Sequence, residues 1–136
     1  MKTYQNALNL IGRLLVVALF LPAGIAKLAG FEGTVGYFTS LGMSTPTLAV
    51  VVAIVVEVLG GLALLVGFQT RAVAIIMAIF TLAASITGHA YWSAPAESAF
   101  VVQLLFFKNI AVIGGLLVIA SAGAGRFSYD GRKQDN

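Results

Sequence analysis

The chain contains four apolar stretches that are each long enough to cross a bilayer, and this pattern limits its fold more than any other feature. Joining the charge-free runs that are separated by one ionisable residue predicts four helices of about 20 residues, which suits a hydrocarbon core of roughly 30 Å. The four predicted spans are residues 7–28, 47–66, 71–92 and 99–121. They use most of the 136 residues. We therefore expect an all-α integral membrane protein, a four-transmembrane-helix bundle with a single domain over residues 1–136.

The composition excludes most soluble and cofactor-based chemistry. With 60% hydrophobic and 10% charged residues, the chain has too little polar surface to coat a water-soluble globule. The absence of cysteine excludes thiol–disulfide relays and iron–sulfur clusters, and a single histidine, His89, cannot supply both axial ligands of a haem. We expect no metal site. The net charge of +3 is spread along the chain, so we expect no nucleic acid partner.

The positions of the basic residues predict the orientation in the membrane. Lys27 falls on one side of the four-span layout and six other cations fall on the opposite side, so the positive-inside rule places both termini in the cytoplasm. A cleaved signal peptide over residues 1–26 is a competing interpretation, but Arg13 would interrupt its apolar core. The cations on the cytoplasmic side are Lys2, Arg13, Arg71, Arg126, Arg132 and Lys133.

Two segments lie outside the predicted spans. The connector from Lys27 to Pro46 places apolar residues at helical spacing beside polar ones, which predicts a short amphipathic helix on the outer interface between the first two spans. The tail over residues 126–136 is polar and rich in charged residues, so we expect it to be loosely ordered.

Ionisable residues within the spans mark the candidate site, because an unpaired charge in the bilayer costs several kcal/mol. Glu57 and Lys108 lie at matching depths, and each is followed by a small residue one helical turn further on. We therefore expect a buried Glu57–Lys108 ion pair near the midplane, with Arg13 as a third member closer to the cytoplasm. Such a pair either serves a ligand or only fixes the helix register. The predicted inward faces are Arg13, Val17, Phe20, Gly24 and Lys27; Ala53, Glu57 and Gly61; and Leu104, Lys108, Ala111 and Gly115.

A polar stripe on the third helix runs towards the outer interface. Thr81, Ser85, His89 and Trp92 share this stripe, and Tyr91 is adjacent. Tyrosine and tryptophan at a helix end are typical of the aromatic belt. His89 can exchange a proton near neutral pH, although a structural histidine fits the same position.

Several short motifs follow one another in a specific order along nearly the whole chain, at residues 13–15, 24–28, 30–35, 41–43, 57–58, 60–61, 65–71, 88–92, 107–109 and 114–115. Through these motifs the chain resembles the DoxX family of small four-helix bacterial inner-membrane proteins, in particular its DoxD-like group. The family is named after a subunit of a thiosulfate:quinone oxidoreductase. The resemblance implies a multi-pass protein of the bacterial inner membrane that works beside redox or stress-response enzymes.

These observations favour a membrane subunit that binds a quinone or a similar apolar small molecule and supports a redox or stress-response partner. No covalently bound cofactor is expected. A non-catalytic assembly scaffold and a small proton-coupled transporter centred on Glu57 stay open as alternatives, as does homo-oligomerisation. The residues of the expected ligand-binding or buried polar centre are Arg13, Glu57, His89, Tyr91, Trp92, Lys108 and Asn109.

Overall fold

A computed structural model describes residues 1–134 as a bundle of helices, which confirms the all-α fold class. Four helical segments are long and apolar enough to cross a membrane: Thr3–Ala29, Pro46–Val66, Thr70–Ser93 and Ala96–Ala122, here called the first to fourth spans. Their ends lie within four residues of the predicted ones. The elements are α1 (Thr3–Ala29), α2 (Phe31–Ser40), α3 (Pro46–Ile54), a π-helical turn (Val55–Leu59), α4 (Gly60–Val66), α5 (Thr70–Gly88), a 3₁₀ turn (Tyr91–Ser93), α6 (Ala96–Ala122) and α7 (Tyr129–Gln134).

The short helix predicted between the first two spans is confirmed as α2, which packs against α3. Pro46 then begins the second span, where its missing N–H group costs no hydrogen bond. Gly67 ends that span with a φ of 73°, a left-handed conformation that glycine adopts without strain. A Cβ atom on Gly67 would clash with the Cβ of Ser128. The glycine therefore also allows the C-terminal segment to approach the end of the second span.

The C-terminal segment is ordered against the bundle, so the expectation of a loosely ordered tail is wrong up to residue 134. The segment forms α7, and the backbone N–H of Asp130 donates to the carbonyl of Gly67 at 2.9 Å. Sequence reasoning failed here because the hydrogen-bond partners of this polar segment lie about 60 positions earlier in the chain. Residues 135 and 136, which the same expectation covered, lie outside the described residues.

The predicted inward faces are confirmed for the first and second spans. Arg13, Val17, Phe20 and Gly24 are buried on the first span, and Lys27 is partly buried. The second span buries the predicted Ala53, Glu57 and Gly61.

The predicted inward face of the fourth span is wrong. Lys108 and Ala111 are exposed, and the helix instead buries Asn109, Leu116 and Ile119 against its neighbours. Apolar residues surround α6 on all sides, so hydropathy selects no face. The small residues at helical spacing from Lys108 therefore do not mark a buried face of this helix.

The four spans form two pairs, and the two pairs pack against each other around a hydrophobic core at one end of the bundle. The first span packs against the second, and the third packs most extensively against the fourth. Large side chains fill the space between the pairs at the end that carries both termini, called the terminal end. Towards the opposite end, called the α2 end, the space between the pairs is a cavity. The core residues are Val17, Phe20, Leu64, Ala74, Met77, Ala78, Leu116 and Ile119.

Candidate functional site

The second span changes from α-helical to π-helical geometry at Glu57. The π-helical turn Val55–Leu59 has Glu57 at its centre. Such turns are rare and occur frequently at functional sites, because the extra residue per turn re-aims the side chains. Here the turn lies against Gly24, where an added Cβ atom would lie 2.9 Å from the Cβ of Glu57. The glycine therefore lets the backbone of the first span approach the carboxylate closely.

This close approach pairs Glu57 with Lys27, one turn beyond Gly24 on the same face. Lys27 Nζ donates to Glu57 Oε1 at 3.1 Å. The expected Glu57–Lys108 ion pair is thus wrong. Spacing within a helix shows which residues share a face, but it does not show which neighbouring helix that face meets.

The paired carboxylate is almost entirely enclosed. Glu57 is 6% exposed, and its second oxygen, Oε2, is buried without a hydrogen-bond partner among the described residues. Breaking a buried pair by removing one member leaves an uncompensated charge. The pair therefore couples the first two spans beside the cavity.

Arg13 belongs to a different centre at the terminal end, so its expected role as a third member beside Glu57 is wrong. Its side chain is fully buried at 0% exposure. Nη1 donates to the carbonyl oxygen of Leu64 at 2.8 Å and to that of Leu65 at 3.2 Å, while Nη2 donates to that of Phe127 at 2.6 Å. Nε donates to Asn9 Oδ1 at 3.1 Å. The guanidinium thus satisfies carbonyls near the end of the second span, where the helix dipole favours a cation.

Other polar side chains cap helix ends in the same region. Arg71 donates to carbonyls of the last turn of the fourth span, including that of Ala120 at 3.0 Å. Asp130 accepts hydrogen bonds from the backbone N–H groups of Gln69 at 3.0 Å and Thr70 at 2.9 Å, which begin the third span. Two of the basic residues that predicted orientation, Arg13 and Arg71, therefore also link segments of the bundle.

The capping role of Asp130 perturbs its acidity. Partial burial alone would raise the pKa of this carboxyl group, but the hydrogen bonds from Thr70 and Gln69 and the charge of Lys133 outweigh burial. The pKa of Asp130 is consequently lowered. Its ionised form stabilises the folded state, because hydrogen bonds to a carboxylate favour the charged form.

The cavity between the two pairs of spans has a volume of about 550 Å³, within the range of natural small-molecule sites. Most of its wall is apolar and includes Phe20, Val52 and Phe80. The α2 helix and its following loop cover part of it through Tyr37, Phe38, Leu41 and Met43. Sequence reasoning missed this contribution, although the apolar face of α2 was visible in the sequence. The polar and ionisable groups in the wall are Lys27, Tyr37, Thr45, Glu57, Thr81, Thr87, His89, Lys108 and Asn109.

The predicted residues of the third and fourth spans divide between the cavity and a separate aromatic cluster. His89, Lys108 and Asn109 line the cavity. Tyr91 and Trp92 are not among its lining residues and instead pack with aromatic side chains of the fourth span. The cluster contains Tyr91, Trp92, Phe106 and Phe107, with ring centroids 5.3–5.9 Å apart.

Lys108 and Asn109 contribute to the cavity in different ways. Asn109 is buried between the third and fourth spans, whereas Lys108 is exposed and also lines the cavity, so it lies at the mouth. The structure thus brings Lys27, Glu57, His89, Lys108 and Asn109 to one cavity.

Fold and cavity together define the class: a multi-pass helical membrane protein with a ligand-sized space between its spans. The outward surfaces of the spans agree with this class, since large apolar side chains such as Leu15, Ile79 and Val118 are 65–69% exposed. Exposed side chains of this kind are compatible with lipid and incompatible with water over so large an area.

Comparison with known proteins gives the family. The DoxX profile matches residues 8–90. The chain is 38% identical over 128 residues to the inner membrane protein YphA of Escherichia coli (strain K12), covering 94% of this chain and 91% of the relative. It is 35% identical over 130 residues to the inner membrane protein YqjF of the same organism, covering 96% and 95%. The chain belongs to the DoxX family, which confirms the resemblance seen in the motifs.

A more distant similarity extends to a eukaryotic protein. The ER-derived vesicles protein ERV29 of Saccharomyces cerevisiae (strain ATCC 204508 / S288c) is 24% identical over 123 residues, which cover 90% of this chain and 33% of that protein. The search of solved structures found no match.

Proposed function

We propose that the chain is a membrane subunit that binds a quinone or a similar apolar small molecule in the cavity between its spans and supports a redox or stress-response partner. One observation carries the proposal: a cavity of about 550 Å³ with a mostly apolar wall and a few polar groups from all four spans. A quinone needs an apolar slot for its ring and tail and hydrogen-bond donors for its carbonyl oxygens.

The residues present fit such a ligand. The ammonium groups of Lys27 and Lys108 and the amide of Asn109 are donors in the cavity wall. His89 lies at the α2 end of the third span, where an imidazole can pass a proton between the ligand and water. A bound quinone would supply two-electron, two-proton chemistry, and these side chains would hold its head group and exchange protons.

The electron donor or acceptor must come from outside this chain. The sequence contains no cysteine, and a quinone exchanges electrons only with a second redox centre. The proposal therefore includes a partner enzyme or a diffusible reductant.

The test is a thermal-shift titration of the purified chain in lipid nanodiscs with a short-chain ubiquinone and a short-chain menaquinone. We expect at least one of them to raise the unfolding temperature, and we expect His89→Gln to weaken the effect. Trp92→Phe is the matched control, because Trp92 is 59% exposed and packs in the aromatic cluster rather than against the cavity. Absence of a shift with both quinones, or equal weakening by the control, would refute the proposal.

A non-catalytic assembly scaffold is the second candidate, and the exposure of the fourth span favours it. Only 17% of its most apolar window is buried, and Ala111 and Gly114 face outward near Lys108. Small residues allow another transmembrane helix to approach closely. A scaffold predicts that mild solubilisation recovers a stoichiometric partner, or a second copy of the chain, and that Gly114→Leu disrupts this complex. It also predicts that no small molecule binds the isolated chain.

The third candidate, a proton-coupled transporter, receives less support. Such a carrier exchanges protons and cations at a free membrane carboxylate, whereas Glu57 carries a salt bridge to Lys27.

The proposed location is the bacterial inner membrane with both termini in the cytoplasm. The cations that cap helix ends at the terminal end support this orientation. Because the natural sequence lacks cysteine, single substitutions Ser44→Cys and Gln134→Cys can be labelled with an impermeant maleimide in intact spheroplasts. We expect labelling of the former only, and the reverse pattern would overturn the orientation.

A further inference from the structure

The charges in the cavity wall do not balance. The wall contains two ammonium groups, from Lys27 and Lys108, and one carboxylate, from Glu57. The other titratable groups that face the cavity are the phenol of Tyr37 and the imidazole of His89, neither of which is a carboxylate. The cavity therefore carries one uncompensated positive charge.

That charge belongs to Lys108. The carboxylate of Glu57 already accepts from Lys27 at 3.1 Å. Lys108, in contrast, forms neither a salt bridge nor a side-chain hydrogen bond with any residue in the described range 1–134. No second acidic side chain lines the cavity in this part of the chain.

The depth of Lys108 makes its isolation costly. It lies twelve residues after the first residue of Ala96–Ala122, or roughly 18 Å along the helix axis. Lysine side chains near helix ends extend to the interface, whereas Lys108 lies near the middle of its 27-residue helix. Leu104 and Phe107, which lie on the same helix, are themselves exposed and apolar. An ammonium group here is stabilised best by an anion that enters the cavity.

We propose that the cavity selects an apolar molecule with a single acidic group, whose anionic oxygen pairs with Lys108 at the cavity mouth while its apolar body lies against the cavity wall. The inference rests on the proposed function and names the ligand class more closely. A quinone with an ionised ring hydroxyl and a long-chain fatty acid share this chemistry, and both present one negatively charged oxygen on an apolar body.

The proposal is tested by binding measurements on the full chain in nanodiscs of zwitterionic lipid at pH 7.5, so that the bilayer itself supplies no anionic lipid. The first pair of probes is a 2-hydroxy-3-alkyl-1,4-naphthoquinone, which is ionised at this pH, and its neutral 2-methoxy analogue. The second pair is palmitate and methyl palmitate. We expect the acidic member of at least one pair to bind about tenfold or more tightly than its neutral analogue.

Substitutions of Lys108 test whether this residue causes the preference for the acidic probe. Lys108→Met should abolish the preference for the acidic probe, and Lys108→Arg should retain it because the positive charge is kept. Lys2→Met is the matched control, since Lys2 is an exposed cation at the N-terminus of α1, and it should leave the preference unchanged. Lys108→Gln replaces the methionine variant if the latter does not fold.

The outcomes separate this inference from the proposed function. Equal binding of the acidic and neutral members of both pairs, or a preference that survives loss of the Lys108 charge, overturns the inference and leaves quinone binding standing. Selective binding of palmitate without any quinone supports the inference and overturns the quinone proposal. Absence of binding by all four probes overturns both.

Discussion

Replacing Gly24 with alanine should force the first span away from the π-helical turn that holds Glu57. The new Cβ atom would lie 2.7 Å from Cγ2 of Val58, 2.9 Å from Cβ of Glu57 and 3.1 Å from the backbone N of Val58. Ordinary carbon–carbon contacts lie at about 3.5–4.0 Å, so the two helices must separate by roughly half an ångström or more. Rotating the Val58 side chain would relieve little of this clash, because valine strongly prefers one rotamer in a helix. The contacts with Cβ of Glu57 and with the backbone N of Val58 cannot be relieved by any side-chain rotation.

The stability lost in Gly24→Ala is best measured against the same substitution at a matched glycine on the same helix. Gly12 has no neighbour within 4 Å of its added Cβ atom, so Gly12→Ala gains helix propensity without a clash. Both substitutions gain the same propensity, and the difference between them isolates the strain. Overpacking of this kind costs about 1–3 kcal/mol. We therefore expect Gly24→Ala to be less stable than Gly12→Ala by that amount.

The assay is SDS titration of the purified variants in mixed micelles, with the free energy of unfolding taken from the transition. Equal stability of the two alanine variants would refute the close approach at Gly24, and with it the geometry that pairs Lys27 with Glu57. A second measurement supports the interpretation: Gly24→Ala should also weaken ligand binding, whereas Gly12→Ala should not.

The remaining predictions concern the two polar centres. Arg13→Lys should lower the free energy of unfolding by at least about 2–3 kcal/mol in the same titration. A lysine ammonium cannot donate, as the Arg13 guanidinium does, to carbonyl oxygens of both the second span and the C-terminal segment. Unchanged stability would contradict this linking role of Arg13. The pKa of Asp130 is lowered in the folded state, so the stability that it contributes is present above its unfolded pKa and is lost as the pH falls below about 4. Asp130→Asn should remove this acid-dependent component of the unfolding temperature, and an identical acid profile would contradict the cap. In a double-mutant cycle, Glu57→Gln and Lys27→Met should show a coupling energy of about 1–3 kcal/mol, while Glu57→Gln and Lys108→Met should be close to additive; the reverse ranking would restore the Glu57–Lys108 pair.

The four spans could be predicted because long apolar runs leave a membrane chain few alternatives to helices. The inward faces of the first and second spans were also predictable, since Gly24 and Gly61 lie at helical spacing from the charged residues that they accompany. Both of these glycines are buried where the two spans meet.

The rest of the site depended on which helices become neighbours. Lys27 and Lys108 lie on other spans than Glu57, far from it in the sequence. Spacing within each helix therefore cannot show which of the two lysines pairs with Glu57. The fourth span misled the prediction because Ala111 and Gly115 follow Lys108 at helical spacing, although Ala111 is exposed and Lys108 lies at the cavity mouth rather than in the packed interior. The role of Asp130 was hidden for a related reason: a cap supplied from a distant segment leaves no local signal at the N-terminus of the third span.

Photoaffinity labelling can show whether the space beside the Lys27–Glu57 pair binds an apolar ligand. A short-chain quinone with an azido group on its ring would be irradiated with the protein in nanodiscs, and labelled peptides would be located by mass spectrometry. We expect adducts on cavity residues, such as Phe38 or Phe80, that an excess of unlabelled quinone suppresses. Labelling confined to lipid-facing positions such as Leu15 and Val118, unaffected by competitor, would contradict it.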